Sequence, residues 1–140
     1  MHILLTRLRK RRRSRGFTLV ELLVVLAIIG LLATVVVVNV LPAQNTARIN
    51  KAKADIALIE QGLELFRLET GRYPTTDEGL LALTVPTNAG AALRRLPNDP
   101  WGRPYNYRQP GNDGRAFDVW TYGSDGEEGG EGDAADIGNW

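Results

Sequence analysis

Leu22 to Val38 contains no charged residue, and apolar positions continue outward to Phe17 and Leu41 as its outer limits. At about 1.5 Å rise per residue, a helix of that length can enter a bilayer. Further on, Ile49, Ala52, Ile56, Ile59, Leu63 and Phe66 recur at steps of 3, 4, 3, 4 and 3. That spacing is the stripe of an amphipathic helix, with Arg48, Lys51, Lys53, Asp55, Glu60 and Glu64 filling the other surface. Pro42 lies between the two patterns. It lacks an N–H donor and crowds the preceding turn, so it predicts a kink or loose point within one helix from about Thr18 to Glu69. Such a helix would extend on the order of 80 Å, more than a small domain can cover, so its first half must find lipid or sister helices. Ala27, Gly30, Ala33 and Thr34 permit close approach of such neighbours.

Gly71 predicts the end of the helix, and Tyr73-Pro74 the exit from it. Asp77 to Leu83 reads as a short helix with acids in its first turn and Thr75 or Thr76 as cap. Thr84 to Gly90 reads as loop. The turn formers around Leu96 to Gly102 leave Trp101 as the apolar plug that docks their loop on the core. Pro104 to Arg108 and Arg115 to Tyr122 alternate as strands across a Pro110-Gly111-Asn112-Asp113-Gly114 turn, which predicts an antiparallel hairpin with Phe117 and Val119 facing the helix. The class is therefore α+β, one long helix on a small antiparallel sheet.

Charge divides the chain again. The total is near neutral, but seven of the 17 Lys and Arg lie in the first sixteen residues, which leaves ten against 16 acids beyond them. Arg7, Arg9, Lys10, Arg11, Arg12, Arg13 and Arg15 form a run that can bury nothing. By the positive-inside tendency this leader stays cytoplasmic, and the acidic remainder lies across the membrane. A nucleic-acid partner is not expected, because the run abuts an apolar span and has no interleaved aromatics. With 140 residues there is room for one small domain beside the span. The lack of cysteine removes disulfides and thiolate zinc sites. Glu21 is the one acid beside the apolar run; a carboxylate there is costly and calls either for a specific partner or for reach to water at headgroup depth.

The stretch Gly16-Phe17-Thr18-Leu19-Val20-Glu21, followed by an apolar helix, resembles the class III signal of type IV pilins and type II secretion pseudopilins. That resemblance implies cleavage by a prepilin peptidase between Gly16 and Phe17, methylation of the new α-amino group of Phe17, and an assembly role for Glu21 opposite a neighbouring subunit's α-amino group. Two internal blocks, Gly71 to Leu80 and Leu96 to Gly102, and the tail Asp136-Ile137-Gly138-Asn139-Trp140 are similar to the major pseudopilin (protein G) family of the type II secretion system. The likeness covers nearly the whole chain from Gly16 on. The proline usual in that family is Val38 here, with Pro42 one turn later.

From Gly123 the chain turns to glycine and acid: Asp125, Glu127, Glu128, Glu131, Asp133 and Asp136. Such a segment cannot bury a core and would be disordered without compensation, although Ile137 and Trp140 offer anchors. Carboxylate oxygens on a flexible loop suit Ca²⁺. The spacing resembles an EF-hand loop, but glycine at its fifth position, aspartate at its twelfth and an incoming strand exclude that identity. The family resemblance implies one structural Ca²⁺ held by aspartates and main-chain carbonyls. Asp125 and Asp136 match best, Asp133 stands in for a missing adjacent aspartate, and Tyr122 and Ser124 offer carbonyls.

The expectation is thus a structural subunit and no enzyme. It comprises a cytoplasmic leader over residues 1–16, a transmembrane and filament-core helix over 17–41, and a periplasmic pilin-like domain over 42–140. The resemblance implies a bacterial inner-membrane location, a helical homo-oligomer, and as partners the prepilin peptidase, minor pseudopilins, an inner-membrane assembly platform and membrane lipid. Two other readings remain from the residues alone. One is a monomeric membrane-anchored calcium-binding adaptor that keeps its leader; the other is a hydrolase using the tail carboxylates. The latter is disfavoured because the sole histidine, His2, lies in the leader and no base stands near Ser14 or Ser124.

Overall fold

The computed structural model describes residues 16–140, and for residues 37–41 the backbone alone. The basic run Arg7 to Arg15 lies outside the described residues. One helix, α1, spans Leu19–Thr70. It is assigned helical across Pro42, so the loose point expected there does not interrupt it. Two compact units divide the chain at Asn39 and Val40.

In the first unit the described residues are the start of α1. Leu19–Val36 is an 18-residue window of mean hydropathy 2.9 with none of it buried, long and apolar enough to cross a membrane. Thr34, a polar residue within it, satisfies its own hydroxyl by donating to the Gly30 carbonyl at 3.0 Å.

The second unit holds the core. Ala52, Ile56, Ile59, Leu63 and Phe66 of α1 are buried together with Leu80, Leu83, Leu93, Tyr105, Phe117, Val119 and Ile137, and Ile49 packs against them partly covered. The stripe read from the spacing is therefore the buried face, and Phe117 and Val119 share its cluster as expected. Trp101 also packs against this cluster, in keeping with its reading as a plug. Asp55, assigned to the solvent face, departs from that reading. Its side chain is 15% exposed, pairs with Lys51 at 2.5 Å and accepts the Tyr105 hydroxyl at 2.9 Å.

The sheet has three antiparallel strands in the order β1-β2-β3: β1 Asn106–Arg108, β2 Asp118–Thr121 and β3 Ile137–Gly138. Tyr107 lies opposite Val119, and Thr121 opposite Ile137. The predicted hairpin forms with shorter strands than alternation suggested, and within its turn the Gly111 N–H donates to the Arg115 carbonyl at 3.0 Å. The tail supplies β3, which the sequence reading did not anticipate. Ile137 is buried, but Trp140 is 58% exposed and does not act as a buried anchor; its ring lies over Gly138, where a Cβ would collide with it.

The short helix expected over Asp77 to Leu83 is instead a turn followed by a 3₁₀ segment at Leu80–Thr84. Gly79, at φ 62°, breaks the ladder between the two. Thr75 is the cap of that turn. Its hydroxyl accepts the Glu78 N–H at 3.2 Å, while the Glu78 carboxylate accepts the Thr75 N–H at 2.7 Å.

Candidate functional site

Two places carry the residues singled out by sequence. At the N-terminal junction, Gly16, Phe17 and Thr18 precede the helix, non-helical and exposed, and Phe17 is 83% exposed. Thr18 and Glu21 form a capping box at the helix start. The Glu21 carboxylate accepts the Thr18 N–H at 2.8 Å, and the Thr18 hydroxyl accepts the Glu21 N–H at 3.2 Å. Glu21 thus already satisfies one of the free donors of its own helix, and Thr18 is a functional neighbour that the sequence reading overlooked. The Thr-x-x-Glu spacing before an apolar run was the available signal.

The second place is the acidic loop between β2 and β3. Main-chain contacts close it: Ser124 N–H donates to the Asp133 carbonyl at 2.9 Å, and Ala134 N–H to that of Glu131 at 3.1 Å. Gly123, at φ 68°, lets the two ends of the loop meet, because a Cβ there would stand 2.7 Å from the Ala135 carbonyl oxygen. Asp125 accepts the Glu127 N–H at 3.1 Å in a local turn. Asp136 accepts the Gly129 N–H at 3.0 Å through Oδ2, while its Oδ1 is buried with no hydrogen-bond partner. A buried carboxylate oxygen without a partner is costly, and that position suits a cation.

The carboxylates expected as ligands are not all brought together. Among the described residues no three Asp, Glu or His side chains form a group able to hold a metal. Asp133 contributes its carbonyl to loop closure. Tyr122 and Asp136 line one open cleft with Trp120 and Trp140. Among the described acids of the loop, the Asp136 carboxylate alone presents a covered oxygen without a hydrogen-bond partner, a hard donor of the kind that Ca²⁺ takes; the side chains do not form a carboxylate cage.

Two buried carboxylates that sequence reasoning missed organise the surroundings. Asp118 is fully covered, and burial alone would raise its pKa. Hydrogen bonds from Arg115 at 2.7 Å, Arg108 at 2.6 Å and the Asn112 N–H at 2.8 Å outweigh that and hold it at about 2. Two arginines and the hairpin turn cover Asp118, which stands between Phe117 and Val119 in sequence. Asp99 is also buried. Its Oδ1 accepts the N–H groups of Trp101 at 3.0 Å and Arg103 at 2.7 Å, and its Oδ2 accepts the Thr121 hydroxyl at 2.5 Å. The Asp-Pro-Trp-Gly turn composition was the signal for that role.

The profile of the family described as type II secretion system, protein G, matches residues 39–140, and that of the prokaryotic N-terminal methylation motif matches residues 11–37. The chain is 48% identical over 141 residues to the type II secretion system core protein G of Vibrio cholerae serotype O1, covering 95% of this chain and 96% of that protein. It is 44% identical to the core protein G of Pseudomonas aeruginosa, over 94% of this chain and 98% of that protein. The crystal structure of the major pseudopilin from the type 2 secretion system of enterohaemorrhagic Escherichia coli matches with a TM-score of 0.60 at 34% identity, covering 73% of this chain and 94% of that one.

Proposed function

The chain belongs to the type II secretion system protein G family and is a structural pseudopilin subunit rather than an enzyme; from that premise we propose how it is processed and assembled. A prepilin peptidase cuts between Gly16 and Phe17 and methylates the Phe17 amine. The subunit rests as a single-pass inner-membrane protein, N-terminus cytoplasmic and C-terminal unit periplasmic. It then joins a helical filament of its own kind with minor pseudopilins and an inner-membrane platform, and filament growth helps drive folded exoproteins across the outer membrane.

The observation that carries this reading is the apolar window Leu19–Val36, bare on every side, with Glu21 at its start and an exposed, non-helical Gly16-Phe17 bond before it. An apolar helix leaves lipid only if other helices cover it, and a head-to-tail contact between identical subunits that does not close produces a filament. In such a filament Glu21 exchanges the Thr18 N–H for a neighbour's α-amino group. The mass of the mature N-terminus tests the processing: Met1–Gly16 should be lost and one methyl gained, whereas a retained Met1 would leave only a membrane anchor. Gly16→Leu should block cleavage, and Glu21→Leu should be cleaved but fail to build fibres.

For the acidic loop, the reading is one structural Ca²⁺ held by Asp136 and main-chain oxygens, with Asp125, Asp133, Tyr122 and Ser124 as the further candidates. The ion would supply neutralising charge, and the chain's own part is to close the loop and bury the Asp136 oxygen that faces it. Melting the full chain in detergent micelles with and without EGTA should separate the two transitions by several degrees. Coincident melts would remove the ion from the account.

A further inference from the structure

Arg103, four residues after Asp99, reaches the acidic loop. Its guanidinium donates through Nη2 to the Gly123 carbonyl and lies against Gly126, where a Cβ would collide with Nη1. Gly126, at φ 76°, has a backbone angle that favours glycine, and the guanidinium occupies the space where its side chain would begin. The arginine is itself held. Its N–H donates to Asp99 Oδ1 at 2.7 Å, its carbonyl accepts the Asp99 N–H at 2.7 Å, and its Nε stands 3.6 Å from Asp99 Oδ2. Asp99 in turn is locked by the Thr121 hydroxyl of β2.

The charge arrangement gives this contact its meaning. Among the described residues, no ion pair involves Asp125, Glu127, Glu128, Glu131, Asp133 or Asp136. Arg103 is balanced by Asp99, so it touches the loop through a main-chain carbonyl and neutralises none of the loop's acids. It also ties up the Gly123 oxygen, which removes that carbonyl from the oxygens open to a cation.

We propose that Arg103 is the positioning residue of the acidic loop: anchored by Asp99, it holds Gly123 and Gly126 and so sets the shape of the loop before any ion arrives. The shape part stands on the contacts above, and the effect on Ca²⁺ rests on the calcium reading already given. Two influences oppose each other at Arg103. Its positive charge repels a divalent ion, while its fork preorganises the loop. Because Asp99 offsets the charge at close range, preorganisation wins, and removing the side chain weakens binding.

The test uses the full chain in detergent micelles, with amide hydrogen exchange measured in EGTA and in Ca²⁺, and a Ca²⁺ titration followed by tryptophan fluorescence. Arg103→Ala should speed exchange at Ser124, Glu127 and Gly129 in EGTA while α1 amides from Ile56 to Leu63 keep their protection. It should also raise the Ca²⁺ Kd about tenfold or more, the usual scale for a residue that orients ligands. Arg103→Lys keeps the charge but not the fork and should resemble alanine; full recovery by lysine would overturn the proposal in favour of simple charge. Gly126→Ala, which pushes the guanidinium off the loop, should shift exchange in the same direction. Unchanged loop exchange, or tighter Ca²⁺ binding, in Arg103→Ala would overturn the positioning role. A wild-type loop that ignores Ca²⁺ while Arg103→Ala still loosens it would defeat the calcium reading and leave the positioning role standing.

Discussion

The two ends of α1 differ in how their apolar residues are arranged and have opposite fates. From Leu19 to Val36 the apolar residues point all round the helix, and every large one is exposed by half or more. From Ala52 to Phe66 a stripe of them is buried, while Leu58 and Leu65 stand exposed beside it. The stripe is covered by the sheet together with Leu80, Leu83 and Leu93 of its own unit, whereas an all-round apolar surface has no side on which to rest in water. The difference separates a region that folds by itself from one completed by lipid or by other copies. Polar groups follow the same division. Thr34 bonds back to its own helix, whereas Glu64 on the covered end accepts the Tyr73 hydroxyl at 2.6 Å and is held below the usual carboxylate range by Tyr73 first and Arg67 second.

The sharpest way to break this contrast is to make the same cut at both ends. Leu63→Ala, at a fully buried site, should cost about 3 kcal/mol or more and lower the melting temperature of the second unit by roughly 10 °C or more. Asp118→Ala comes next. Removing the partner of two arginines in a covered site should cost about 3 kcal/mol, read by denaturant unfolding.

Asp118 also predicts acid behaviour. Its folded pKa of about 2 lies below the ordinary 3.8, so its contribution is complete above about pH 4 and is lost as pH falls through about 2. The exposed Glu78, held at about 2 by the Arg72 guanidinium and the Thr75 N–H, titrates in the same window. Asp118→Asn should flatten much of the stability change between pH 4 and 2, and an acid limb equal to wild type would remove the ion-pair account.

The two capping boxes allow a smaller test. Thr75→Ala should cost about 1 kcal/mol in the second unit, since it frees the Glu78 N–H and loosens the bidentate Arg72–Glu78 pair. Thr18→Ala at the equivalent box should leave that unit's melt unchanged. Smallest of all, Leu26→Ala on the bare end should change the melt in micelles by less than about 0.5 kcal/mol. A large loss there would mean that the bare end is covered within the monomer.

Periodicity was enough to identify the long helix, its buried stripe and the hairpin, because each repeats over enough residues for side-chain direction to show in the order of types. The junction at Gly16-Phe17 and the acid-rich composition of the loop were equally legible. β3 was not, since a strand of two residues has no period and exists only because β2 offers it an edge. The single turn at Thr75 was mistaken for a helix because Gly79 breaks it at a backbone angle that composition does not reveal.

What the order of residues determined by itself is where apolar surface must go: inward along one stripe, and outward into something other than water along the first half of α1. What only the tertiary structure decided is the fate of the acids. Asp99 and Asp118 are buried and paired, Asp136 is half-buried with one covered oxygen unpaired, and Asp125 accepts a hydrogen bond within its own turn. A carboxylate looks the same in sequence wherever it stands. Its role depends on which donors distant parts of the chain bring to it, and those distances exist only once the chain has folded.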